Sequence, residues 1–244
     1  VLSFDQRDDL PRPNGVWPMG GAEAAEMAKL AETTYRDVNI GLANQFARYA
    51  DAVGIDVARV IEACNSQPYS HIHRPGIAVG GHCIPVYPRL YLAGDPEATV
   101  VSAARAANAG MPAYAVSRAA ALLGSLEGLR VVVLGAAYRG GVKETAFSGV
   151  FGVTCALREA GAQVSVHDPL YSDEELAAFG WDAYHLGEPV DVAIVQADHA
   201  AYRDLAPADL PGVRVLVDGR AITSPEAWAG TPRITIGGGS VPAC

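Results

Sequence analysis

The sequence predicts an α/β fold in two parts, a region built on one long helix followed by a doubly wound domain on a parallel sheet. Three observations carry this. Apolar residues recur three or four apart from Ala22 to Val53, a helical period sustained over about thirty residues. The period collapses between Asn65 and Pro88, where prolines and glycines crowd the chain. After Gly128, short β-rich runs alternate with helical ones, the pattern of a parallel sheet covered on both faces.

The first helix carries Met27, Leu30, Val38, Leu42, Phe46, Tyr49 and Val53 as its apolar stripe, with no proline and one glycine, and exceeds the usual globular length. Gly54 stops it, and Asp56 caps a second helix running through Ala63. Asn65 to Pro88 reads as a structured loop, because Ile72, Ile77, Val79 and Ile84 interleave with Pro68, Pro75, Pro85, Gly76, Gly80 and Gly81. Asp95 to Leu123 returns to helix, interrupted at Gly110-Met111-Pro112 and stopped by Gly124. Leu129 to Ala137 then reads as a buried strand, Ser148 to Ala160 as a helix and Gln163 to His167 as a strand. Asp173 to Phe179 is a short helix; Val190 to Gln196, Val213 to Val217 and Ile234 to Ile236 are further strands. The boundary between the two parts falls at residues 124 to 128, giving regions 1–21, 22–124 and 125–244.

Composition removes several classes of function. Half of the 244 residues are apolar and the formal net charge is -9, a poor match for a nucleic-acid sleeve or a polybasic membrane anchor. The longest apolar stretches, near Val131 to Leu134 and Ala119 to Leu123, fall far short of the roughly 18 residues a membrane-spanning helix needs. No signal-peptide pattern opens the chain. Cys64, Cys83, Cys155 and Cys244 are widely spaced, which points to a reducing, cytoplasmic setting. His71, His73 and His82 crowd one loop without metal-ligand spacing, so no metal is expected. The chain begins at Val1 without methionine, compatible with loss of an initiator Met or with a piece of a longer protein.

Two stretches bear on chemistry. Gly135-Ala136-Ala137-Tyr138-Arg139-Gly140 follows the first strand where a dinucleotide fingerprint would stand, but Ala137 replaces its second glycine and obstructs close approach to a pyrophosphate. Asp168, ending the next strand, is either a ribose-binding acid or a turn residue before Pro169. In Val79-Gly80-Gly81-His82-Cys83-Ile84-Pro85-Val86, two glycines leave the Cys83 thiol on an open turn. Cys83 is there either a nucleophile or a structural buried thiol.

Glu26-Met27-Ala28-Lys29-Leu30-Ala31-Glu32, Tyr35-Arg36-Asp37-Val38-Asn39-Ile40 and the Gly-Gly-His-Cys-Ile-Pro-Val segment together resemble the UDP-glucose/GDP-mannose dehydrogenase family, closest to its N-acetyl-hexosamine branch. The resemblance covers about residues 16 to 240. It implies a fragment: residues 1–21 as remnant or linker of a missing N-terminal NAD domain, whose final strand would be Val16 to Met19, a central dimerisation and catalytic-loop domain, and a C-terminal Rossmann-like domain holding a nucleotide sugar. The implied reaction oxidises a primary alcohol to a carboxylate with NAD, in two steps by way of an aldehyde.

By that resemblance, Cys83 is the nucleophile and Lys29 stabilises the oxyanion, while Thr33 stands where many members carry asparagine and shares a helix face with Lys29. Gly80, Gly81, His82, Tyr87, Tyr138 and Arg139 are expected around the UDP-sugar, and Arg74 is a further phosphate candidate or a surface residue. Tyr87 stands where the family commonly has an aspartate; Glu144 is the nearest candidate carboxylate. Ala146 stands where many members aim an arginine at the NAD pyrophosphate, and Lys143 is the expected substitute. Partners are a UDP-sugar and a second copy of the chain through the long helix.

Overall fold

A computed structural model describes residues 17–239. The helical part comprises α1 (Ala22–Val53), α2 (Val57–Asn65), α3 (Tyr87–Gly94), α4 (Thr99–Ala109) and α5 (Met111–Leu123). The sheet part follows as β1 (Arg130–Leu134), α6 (Gly149–Glu159), β2 (Gln163–His167), α7 (Asp173–Ala178), β3 (Asp182–Ala183), β4 (Val192–Val195), β5 (Val215–Asp218) and β6 (Arg233–Thr235). Gly54 ends α1 in the left-handed region, and the Asp56 carboxylate accepts from Ala58 N to cap α2. Two expectations change. Trp17 to Met19 form no strand, and Val16 lies outside the described residues. The expected loop gives way at Tyr87 to α3, with Pro88 in its first turn.

The strand order is β3-β2-β1-β4-β5-β6, every pairing parallel, with Val133 opposite Val166 on one side and Ile194 on the other. This is the doubly wound order, with its switch point between β1 and β4. Val131, Val133, Ile194 and Val217 face one way, into a core shared with Met111, Ala115, Val116 and Ala119 of α5 and Val150, Val153 and Leu157 of α6. Thus α5, read from sequence as the end of the helical part, covers the sheet. Val132, Leu134, Ala193 and Leu216 face the other way onto Tyr202, Leu205, Leu210 and Trp228. Instead of α-helices, single 3-10 turns at Ala200–Tyr202 and Pro207–Asp209 lie on that second face, in connections broken by Pro207, Pro211 and Gly212.

Helix α1 docks through a polar seam. Asp37, Asn44 and Asp51 lie seven residues apart, hence on one helix face, and all three are buried. Asp37 pairs with Arg105 at 2.5 Å and accepts from Asn108 of α4, while Asn44 donates to the Asn108 side chain and accepts from Gly76 N in the loop. Burial pushes the Asp37 carboxyl up, against the lowering influence of Arg105 and Asn108. Asp51 accepts from Tyr114 of α5 and from Gly237 N and Gly239 N after β6, with Arg118 at 3.4 Å. The opposite face leaves Leu42, Phe46 and Tyr49 at 47%, 39% and 67% exposure.

Candidate functional site

The cysteine loop crosses the sheet at the carboxyl ends of its strands. Ile77 is fully buried and reaches toward Gly219 beyond β5, Ala78 toward Gly149 at the start of α6. Gly81 N donates to Ala146 O at 2.9 Å. Gly80 has no room for a side chain: a β-carbon there would stand 2.6 Å from Tyr138 Cβ and 3.0 Å from Phe147 O. Gly81 takes a φ of 90°, and a β-carbon on it would meet the Tyr138 ring at 3.2 Å. The two glycines therefore serve close approach between loop and sheet domain. Phe147, non-glycine at a φ of 51°, is the strained residue at this contact.

Cys83 follows immediately and is exposed. Its carbonyl accepts from Val86 N and Tyr87 N, bonds that turn the chain into α3. Lys29 arrives from the first turns of α1, its ammonium 5.5 Å from the Tyr87 ring centroid and 3.2 Å from Glu32. Residues 58 positions apart in sequence are thus brought together, Lys29 standing over the tyrosine four places after the cysteine. Thr33, one turn on from Lys29, is fully buried, and its hydroxyl donates back to Lys29 O at 2.7 Å.

Among the remaining expected residues, His82 Nε2 lies 3.3 Å from Glu144 Oε2, linking the cysteine loop to the turn after β1. The Ala146 N–H, and after it the His82 contact, hold the Glu144 carboxyl below the usual range. Arg139 is exposed beside the Tyr138 ring, 5.7 Å from its centroid. Arg74 is exposed on the loop before Pro75. Lys143 is half-exposed, its ammonium engaged by both oxygens of Glu175, at 2.5 and 2.6 Å, and lying over Tyr171.

The turn after β1 does not fit a dinucleotide. Its Ala136 and Ala137 N–H groups, which face pyrophosphate in a dinucleotide-binding turn, both donate to Asp168 Oδ2, at 2.8 and 3.0 Å. Asp168 is buried and also takes Leu170 N and His199 Nε2, so it holds a turn and does not reach for a ribose. Burial works to raise its pKa, but these donors keep it below the usual carboxylate range. Gln196 donates to Gly135 O, Ala137 O and Ser148 Oγ, and Asp198 accepts from Gly140 N. None of Gln196, Asp198 and His199 was singled out from sequence; their signal is position, directly after β4 at the switch point. Arg220, in the turn after β5, pairs with Asp198 at 3.4 Å and borders Gly76.

A sheet with this order, a glycine-cysteine loop laid over its switch point and a lysine delivered by a long helix define a nucleotide-sugar dehydrogenase architecture. Family models agree on both parts, the central domain of the UDP-glucose/GDP-mannose dehydrogenase family matching residues 23–109 and its UDP binding domain residues 132–225. The chain belongs to this family. It is 33% identical over 216 residues to the UDP-N-acetyl-D-mannosamine dehydrogenase of Methanocaldococcus jannaschii, covering 85% of this chain and 49% of that protein. The structure of the UDP-D-ManNAc dehydrogenase from Pyrococcus horikoshii superposes with a TM-score of 0.78 at 31% identity, over 91% of this chain and 53% of that one. A UDP-N-acetyl-mannosamine dehydrogenase of Staphylococcus aureus gives 0.72 at 31%, over 89% and 52%. The chain spans about half the length of the relatives it matches.

Proposed function

We propose that this chain is the central and UDP-sugar-binding portion of an NAD-dependent dehydrogenase that oxidises UDP-N-acetyl-D-mannosamine, or a closely related UDP-hexose, to its uronic acid. The observation that carries the reading is the seating of Gly80 and Gly81 against Tyr138, which brings the Cys83 loop onto the UDP-binding domain, with Lys29 over Tyr87 four residues further on. In this reading Arg139, Arg74 and Arg220 are the cations available to the diphosphate. Cys83 adds as thiolate to the aldehyde carbon, its sulfur–carbon bond forming as the carbonyl oxygen becomes an oxyanion. Lys29 stabilises that charge, which develops only as the reaction proceeds. Covalent capture keeps the aldehyde from escaping, and after oxidation water releases the acid from the thioester and returns the thiol.

The residues present offer no dinucleotide cradle at the β1 turn, and Lys143 is paired, so NAD is assigned to a separate domain like that expected from the resemblance. The apolar face of α1 is assigned to a second copy of the chain, and the setting to the cytoplasm. Calorimetric titration with UDP-N-acetylmannosamine, UDP-glucose and UDP, joined to alkylation of Cys83 by iodoacetamide, tests the reading. The first sugar should bind tightest, and UDP should slow alkylation at Cys83 but not at Cys64 or Cys155. Absence of binding, or equal protection of all three thiols, refutes it.

A second reading, a dimerising nucleotide-sugar-binding module without redox chemistry, draws on Tyr87: a phenol beside Lys29 is a poor general base near neutral pH. Uronic acid production with the NAD domain supplied separates the two.

A further inference from the structure

The buried pair after β2 and β4 has no part in the chemistry just given, yet three backbone N–H groups of the turn that faces the cysteine loop, those of Ala136, Ala137 and Gly141, donate to it. His199 is buried with its ring between two partners. Gly141 N donates to Nδ1 at 3.4 Å, and Nε2 lies 3.1 Å from Asp168 Oδ2. An acceptor at Nδ1 fixes the neutral tautomer with its proton on Nε2, directed at the carboxylate. The same Asp168 oxygen receives Ala136 N and Ala137 N, immediately before Tyr138. Asp198, one residue before His199, holds Gly140 N at 2.8 Å. The ends of β2 and β4 thus grip the segment from Ala136 to Gly141 on both sides of Tyr138 and Arg139. Tyr138 is in turn the residue against which Gly80 and Gly81 are seated.

We propose that His199 is a positioning residue for the UDP-sugar site, acting through Asp168 to fix the turn that presents Tyr138 and Arg139 to the ligand and to the cysteine loop. This rests on the UDP-sugar reading. The Asp168 carboxylate acts as a resident anion: it fills the N–H groups that a phosphate would otherwise take and directs the diphosphate outward, to the Arg139 side of the turn. His199 holds that carboxylate in place, and its own ring is held edge-on by Tyr202 at 5.5 Å. The arrangement distinguishes positioning from simple packing, because three bonds of the pair end on backbone N–H groups of one functional turn.

The test uses the chain as it stands, with UDP as the calorimetric probe and Cys83 alkylation as a second readout. His199→Ala should weaken UDP binding at least tenfold and reduce the protection UDP gives Cys83. His199→Gln, whose amide can donate to Asp168 and accept from Gly141 N, should recover most of that loss. Leu157→Ala, which opens a cavity on the opposite face of the sheet from Tyr202, serves as the control: it should lower the melting temperature as much while leaving UDP affinity unchanged. Should His199→Ala not fold, Asp198→Ala decides alone, since its side chain is partly exposed and it holds the same turn; a severalfold loss of UDP affinity is expected. Wild-type affinity in the folded His199 variant, or in Asp198→Ala where that one decides, or an equal loss in Leu157→Ala, overturns the positioning role alone. Failure of the unmodified chain to bind UDP overturns the UDP-sugar reading and this proposal with it.

Discussion

Replacing Gly80 with alanine puts a methyl group where the loop has no space. The new β-carbon would lie 2.6 Å from Tyr138 Cβ and 3.0 Å from Phe147 O, and both atoms belong to backbone or its first side-chain atom, so neither can swing aside. Gly80 is not in the left-handed region, so the backbone itself accepts alanine and the effect is steric. Restoring ordinary contact requires the loop to lift by roughly 1 Å, and overpacking of this kind costs about 1–3 kcal/mol. At 2–4 °C per kcal/mol for a chain of this size, the melting temperature should fall by about 2–12 °C. A misplacement of about 1 Å at a reacting group costs on the order of a hundredfold in rate, about 2.7 kcal/mol, so the effect on chemistry should be of the same order as the effect on stability. Thermal unfolding followed by circular dichroism, UDP calorimetry and Cys83 alkylation measure the two separately. Gly94→Ala is the control, a helical position with nothing within 4 Å of the added carbon, and should be neutral or slightly stabilising. A Gly80→Ala protein with unchanged melting temperature and wild-type UDP affinity would refute the seating of the loop on Tyr138.

Cys83→Ser, with the NAD domain supplied, should keep UDP-sugar binding and lose uronic acid formation, whereas Cys155→Ser should be silent; wild-type product yield from Cys83→Ser in a mass-spectrometric assay would exclude covalent catalysis there. The chain alone should produce no NADH from UDP-N-acetylmannosamine, because the strand-to-helix turn after β1 is closed by Asp168; steady absorbance growth at 340 nm would contradict this. Sedimentation at micromolar concentration should give a dimer, and Phe46→Glu, on the exposed face of α1, should give a folded monomer. Asp168 titrates below its unfolded value, so the folded state releases its proton at lower pH than the unfolded one. Its stabilisation is complete above the unfolded pKa and is lost as pH falls through the folded one, so acid unfolding of Asp168→Asn should show a shallower pH dependence below about pH 4.

Much of this architecture was legible because local signals agreed with tertiary ones. The period of α1, the left-handed Gly54 and the Val131 to Leu134 run each specify their element without help from elsewhere. The residues that escaped did so for physical reasons. Asp37 and Asp51 look like a solvated helix face until Arg105, Asn108, Tyr114 and Arg118 arrive from helices more than sixty residues on. Strand β3 is two residues long and exists only by pairing with β2. Sequence left Asp168 open between a ribose-binding acid and a turn residue, and only the arrival of the Ala136 and Ala137 N–H groups from the neighbouring turn decides for the second. The pairing of Lys143 with Glu175 depends on how α7 lies, which spacing along the chain does not specify.

The seven-residue spacing of Asp37, Asn44 and Asp51 makes α1 a keyed shaft. Sliding it by one turn, or rotating it by a third of one, would face each carboxylate with a wrong partner and strand Arg105 and Arg118 at once. A purely apolar face would slip at little cost, since one leucine replaces another. The helix is about 48 Å long at 1.5 Å per residue, with Lys29 near one end and the Asp51 anchor near the other. Whatever grips its free apolar side therefore sets, through a part that neither turns nor slides, where the lysine ammonium stands over Tyr87.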